Sequence, residues 1–129
     1  MCFKRKKINC IIDTDPGVDD CAAIALSLYD DVMDIKLITT VSGNVGIDKV
    51  TRNILHLLEK FGRTDIPVAK GASKPLYREA KDATYMHKAE GMGNYIPPKT
   101  VKTKPIKLDA VEAMYKVICE HPKDICIIA

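Results

Sequence analysis

The sequence predicts an α/β fold, a parallel, Rossmann-like sheet with helices on both faces. Short β-rich runs alternate with amphipathic segments of helical period, which is the pattern of parallel strands joined by crossover helices. With 47% hydrophobic and 29% charged residues, the chain has the balance of a globular protein with a real core. Two polar loops also follow the first two strands, so they fall at the edge where such sheets bind ligands.

Residues 8–12 read as a short buried strand, and residues 13–17 as a turn. Residues 18–28 read as a helix with Ile24, Ala25 and Leu28 on one face. Asp19 and Asp20 in its first turn suit the positive end of the helix dipole. Residues 35–41 form a second β-rich run, broken by Ser42-Gly43-Asn44. The clearest helix is 48–61, where Val50, Ile54, Leu57, Leu58 and Phe61 share a stripe and Gly62 closes the end. Residues 66–69 are a third short strand. Residues 71–105 hold Pro75, Pro97, Pro98 and Pro105 and show little periodicity, so a long loop near the active site is expected. Residues 108–120 read as a helix capped by Asp109, with Val111, Met114, Tyr115 and Ile118 as its apolar stripe. Pro122 ends it, and 125–129 are a fourth strand. The 129 residues suit one domain, and because the last strand stops at Ala129 a truncated chain is expected.

A net charge of +3 gives no case for nucleic acid. The basic cluster Lys4-Arg5-Lys6-Lys7 reads as a solvated arm, and the apolar run behind it is too short for a signal peptide. No run approaches the roughly 18 apolar residues of a membrane span. Cys10, Cys21, Cys119 and Cys126 lie in apolar segments without a C-x-x-C. They read as small core residues of a cytoplasmic protein rather than a disulfide framework or zinc site. His56 and His121 read as helix-surface residues.

The informative stretch is IIDTDPGVDD, residues 11–20, which crowds Asp13, Asp15, Asp19 and Asp20 at the end of a buried strand. Turn chemistry and capping explain one or two of these carboxylates. An oxygen-rich cluster suits a hard cation such as Ca²⁺, which takes about six to eight oxygen ligands. An EF-hand does not fit, because its glycine and glutamate positions hold Val18 and Ile24. Asp13-Thr14-Asp15 imitates the nucleophile loop of haloacid-dehalogenase-like phosphohydrolases, but Pro16-Gly17 follows it and the Asp19-Asp20 pair has no use there.

DTDPGVDD resembles the N-terminal signature of the inosine-uridine preferring nucleoside hydrolases. The resemblance continues through ITTVSGNVG (38–46), VTRNILHLL (50–58), IPVAKGASKPL (66–76) and HKAEGMGN (87–94). It departs at Lys88, where the family has glycine, and at Ala89-Glu90. It implies the N-terminal part of the nucleoside hydrolase fold and a Ca²⁺-assisted hydrolysis of ribonucleosides to ribose and free base. On it, Asp15 is a calcium ligand and the general base, and Asp20 is a second calcium ligand. Asp19, Asn44 and His87 contact the substrate, and Asp13 orients the loop from behind. It further implies a homo-oligomer, dimer or tetramer, when full length, with more ligands and the leaving-group acid beyond residue 129. The expectation is therefore an N-terminal portion, inactive alone. The rival readings are the phosphohydrolase above and a truncated or degenerate domain without turnover.

Overall fold

The computed structural model describes residues 6–129; Cys2, Lys4 and Arg5 lie outside the described residues. The chain runs β1 (Ile8–Thr14), α1 (Val18–Tyr29), β2 (Met33–Thr40), α2 (Ile47–Lys60), β3 (Val68–Lys70), α3 (Thr84–His87), α4 (Ala110–Glu120) and β4 (Cys126–Ile128). The strands form one parallel sheet in the order β3-β2-β1-β4. The order reverses beside β1, and in open α/β sheets ligands bind at such a switch point, outside the C-terminal strand ends.

Helices cover both faces, as expected. Cys10 and Ile12 of β1 pack with Ile24 and Leu28 of α1 and Ile54 and Leu58 of α2. The intervening Ile11 points the other way, where it joins Leu37, Ala69 and Ala113 of α4. A strand covered on both sides has no polar face, which is why Cys10, Ile11 and Ile12 follow one another without a polar residue between them. α2 buries Val50, Ile54, Leu57 and Leu58. Its end is a Schellman motif: Gly62 takes φ +64°, its N–H donates to Glu59 O at 3.3 Å, and Arg63 N–H donates to Leu58 O at 2.9 Å. Asp109 caps α4 by accepting the Glu112 N–H at 2.9 Å. No helix among the described residues is long and apolar enough to cross a membrane.

Several local expectations are corrected. β1 runs on to Thr14, and β3 starts at Val68 rather than residue 66. Pro67 has no N–H to donate, and its carbonyl accepts the Ile38 N–H at 3.0 Å just before the strand. The long loop contains the one-turn α3. α4 turns Ala110 and Ala113 inward, with Met114 and Val117 beside them, while Val111 and Tyr115 of the expected stripe are exposed. Small side chains win that face because α4 lies close to the sheet: a Cβ on Gly71 would sit 3.1 Å from Ala110 Cβ. Cys10 is buried and Cys21 partly so, but Cys119 and Cys126 are exposed.

His56 is the largest departure. It is 6% exposed rather than a surface residue, its Nε2 lies 2.8 Å from Tyr95 Oη, and the two rings stack. Burial, helped by the Lys60 charge, pushes the His56 pKa below its ordinary value. The folded chain then binds fewer protons there than the unfolded chain. Its contribution to stability is complete above the ordinary histidine pKa of about 6.5 and is lost as pH falls through the folded value. The melting temperature of the full-length protein is expected to drop between pH 7 and pH 5.5, and His56→Gln to flatten that drop. Parallel pH profiles for the two proteins would contradict this.

Candidate active site

The site begins where β1 and β2 end side by side. Val41 N–H donates to Thr14 O at 3.1 Å, so the two chains leave the sheet together. After Thr14 the chain needs only Asp15, Pro16 and Gly17 to enter α1. Pro16 is fully buried, and Gly17 is the extended N-cap residue. Asp20, at the third helical position, reaches back and accepts the Gly17 N–H on Oδ2 at 3.0 Å. This carboxylate-to-cap contact holds the turn and suits the positive helix end.

The loop after β2 locks onto that turn. Asn44 N–H donates to Asp15 Oδ2 at 2.8 Å, and its side-chain Nδ2 donates to Asp15 O at 2.7 Å and to Asp20 Oδ2 at 3.4 Å. Asn44 thus holds both carboxylates, Asp15 through its backbone N–H and Asp20 through its side-chain amide. Among the described residues, Oδ1 of Asp15 and Oδ1 of Asp20 accept no hydrogen bond. Two glycines make this closeness possible. A Cβ on Gly43 would lie 2.0 Å from Asp15 Oδ2, and one on Gly17 would lie 2.9 Å from Asn44 Nδ2 and 2.5 Å from His87 Cε1.

His87 ends α3, is 8% exposed, and enters the same cluster: its Nδ1 accepts the Val18 N–H at 3.3 Å. An accepting Nδ1 leaves the ring proton of the neutral imidazole on Nε2. The Ala83 N–H donates to Asn44 O at 3.0 Å, so α3 is tied to the β2 loop from its first turn. The loop after β2 also borders a cavity of about 250 Å³ with Ser73, Pro75 and Asp82, which brings part of the 71–105 segment to this edge.

Asp15, Asp20, Asn44 and His87 are therefore brought together. Asp13 stands one layer behind, in β1, where it accepts the hydroxyl of its register partner Thr39 at 2.5 Å. Asp19 lies in the first turn of α1, exposed, with no hydrogen bond to the described residues. Thr39, Gly17 and Gly43 have roles that reading the sequence missed. The Ser-Gly-Asn break after β2 was the signal for Gly43 and the Pro16-Gly17 turn the signal for Gly17, while nothing local marked Thr39.

The donor chemistry suits a hard cation, since the available ligands are carboxylate and amide oxygens. The set is small: among the described residues no three His, Cys, Asp or Glu side chains gather closely enough to hold a metal. Cys21 adds nothing to it. Burial, then the Asp20 and Asp19 charges, push its thiol up to about 11, so it stays protonated and unreactive at neutral pH. At the end of β1, the Thr14 hydroxyl is buried without a partner among the described residues.

The inosine-uridine preferring nucleoside hydrolase family model matches residues 10–129. The non-specific ribonucleoside hydrolase RihC of Salmonella typhimurium is 43% identical over 122 residues, which is 95% of this chain and 39% of that protein. A plant nucleoside hydrolase superposes with a TM-score of 0.86 at 40% identity, covering 93% of this chain and 38% of the other. The purine-preferring ribonucleoside hydrolase from Gardnerella vaginalis gives a TM-score of 0.85 at 27% identity, covering 92% and 39%. The chain thus spans about two fifths of the length of the curated relatives it matches. With the family model matching nearly every described residue, the chain belongs to the inosine-uridine preferring nucleoside hydrolase family.

Proposed function

We propose that the protein, at the full length of its relatives, hydrolyses the N-glycosidic bond of ribonucleosides to ribose and free base. The observation that supports this best is the Asp15–Asn44–Asp20 bridge at the switch point of the sheet. It presents two carboxylates whose Oδ2 atoms are occupied and whose Oδ1 atoms are available to a cation and a water. We assign Ca²⁺ to Asp15 and Asp20; when bound, it would acidify a water and orient the vicinal hydroxyls of the sugar. Asp15 is the base that takes the water's proton. Asp19, exposed in the first turn of α1, accepts from a ribose hydroxyl. His87 is held as the Nε2–H tautomer by Val18, so it offers the substrate a donor rather than an acceptor. Asp13, fixed by Thr39, keeps the end of β1 in place behind these groups. Free cysteines, two of them exposed, agree with the cytoplasm, where nucleoside salvage would use such an enzyme as a homo-oligomer.

The haloacid-dehalogenase-like reading is set aside, since the family match is to nucleoside hydrolases. The full-length protein should release base from inosine and uridine. A site that grips sugar hydroxyls should cleave the 2′-deoxy analogues at least about 10³-fold more slowly. Release of inorganic phosphate from a sugar phosphate, with no base formed from either nucleoside, would reverse the assignment.

A further inference from the structure

The polar side of α2 faces away from the reaction, yet it is wired to the segment that carries His87. Lys49, Arg52, Asn53 and His56 follow one another at helical spacing, so they form one stripe. All four reach the same stretch of chain. Arg52 Nη1 pairs with Glu90 Oε2 at 2.9 Å, and Lys49 Nζ pairs with Glu90 Oε1 at 3.1 Å. Lys49 Nζ also donates to Ala89 O at 2.7 Å, and Asn53 Nδ2 donates to Glu90 O at 2.8 Å. His56 meets Tyr95, five residues further on. Asn53 is wholly buried, and Arg52 Nη2 donates to its Oδ1 at 2.9 Å, so the stripe is itself rigid.

The held segment has the backbone of a tight clasp. Lys88 (φ +63°), Gly91 (φ +79°) and Gly93 (φ +62°) all take the left-handed region. The Gly93 N–H returns to His87 O at 3.0 Å, and the Gly91 N–H to Lys88 O at 3.1 Å. Lys88, with ψ 174°, lies in a region essentially open to glycine alone and costing roughly 1–3 kcal/mol, so other contacts have to hold it there. Burial supplies part of the hold: His87 is 8% exposed and Gly91 packs against Val45, while Met86 is 64% exposed and Tyr95 50% exposed. The front of the segment is tied to Asn44 through Ala83 and to Val18 through His87, and its middle is held by α2. Removing the contacts to α2 loosens the piece of chain that follows His87.

We infer that Glu90, gripped by Lys49, Arg52 and Asn53 of α2, is a positioning residue that sets His87 against Gly17 and Val18. Glu90 itself touches none of the site groups; it acts through His87. The two ion pairs converge on one carboxylate, and hydrogen bonds from both cations hold its pKa below the ordinary glutamate value. The charge is therefore present throughout the neutral range. The proposal rests on the nucleoside hydrolase reading only for its kinetic consequence; the geometric one stands without it.

The test is Glu90→Gln in the full-length protein, which keeps the shape and removes the charge. Amide hydrogen exchange over residues 84–93 is expected to quicken about tenfold or more, while β1 and β2 stay protected. On inosine, KM should rise about tenfold, and in a His87→Ala background the same substitution should change KM less than about twofold, because the effect passes through that ring. Unchanged exchange over 84–93 would overturn the proposal, as would additive effects of Glu90→Gln and His87→Ala. If the unmodified protein cleaves no nucleoside, the functional reading fails, and the exchange measurement alone still decides the clasp.

Discussion

Asp15→Asn in the full-length protein is expected to lower kcat on inosine by at least about 10³-fold, a barrier increase of about 4 kcal/mol. The substitution is nearly isosteric. An asparagine oxygen can still accept the Asn44 N–H that Asp15 Oδ2 accepts at 2.8 Å, so the two loops should stay joined. What disappears is the charge that, in the proposed function, holds a cation, and the oxygen that takes a proton. Both losses fall on the chemical step, so the defect should appear in kcat with the melting temperature nearly unchanged. Calcium titration by calorimetry would show the accompanying loss of affinity. A variant with near-normal kcat would remove Asp15 from the mechanism, and with it the assignment of the whole loop.

Gly43→Ala should come next in size, without altering a single chemical group. The new Cβ would stand 2.0 Å from Asp15 Oδ2, 2.7 Å from Cγ and 3.0 Å from Cβ. Ordinary contact requires well over 3 Å, so the carboxylate must move by more than about 1 Å or the loop must open. Either response breaks the Asn44-to-Asp15 hydrogen bond. A displacement of that size is expected to cost about 10²-fold in kcat, together with weaker calcium binding. The same loop supplies the control. A Cβ at Gly46 meets nothing within 4 Å, so Gly46→Ala should keep kcat within about twofold of the parent. Equal losses at the two glycines would mean that loop mobility, and not the position of Asp15, governs the rate.

Most of the framework could be read from local pattern. The stripe of α2, the capping role of Asp109 and the meeting of the two loops depend on spacing within one element or on the rule for parallel sheets. What escaped depends on partners far along the chain. His56 has a surface residue's composition around it, and it is the return of a distant segment, with Tyr95 stacking on it from 39 positions later, that the local pattern does not show. The face of α4 was misjudged because Val111, Met114, Tyr115 and Ile118 satisfy helical spacing, whereas the close approach of Gly71 and Ala69 selects the alanines. Cys119 and Cys126 sit in apolar runs, yet the described chain covers neither of them. Within the site the aspartates were visible because four carboxylates in eight residues demand a cause. Gly17 and Gly43 were not visible as spacers. Gly17 has φ −90°, a conformation open to any residue, and its requirement comes from His87 and Asn44 packed against it.

The β3-β2-β1-β4 order has a consequence for how such a protein can change over evolutionary time. Asp15 and Asn44 hang from the two inner strands of the four described, with β3 and β4 outside them. Strands can be gained, lost or exchanged at either margin without disturbing the backbone that spaces the carboxylates. The spacing of the two carboxylates is then inherited with the centre of the sheet, while peripheral segments are free to be rebuilt around it, with the central pair of loops passed on as a single heritable unit.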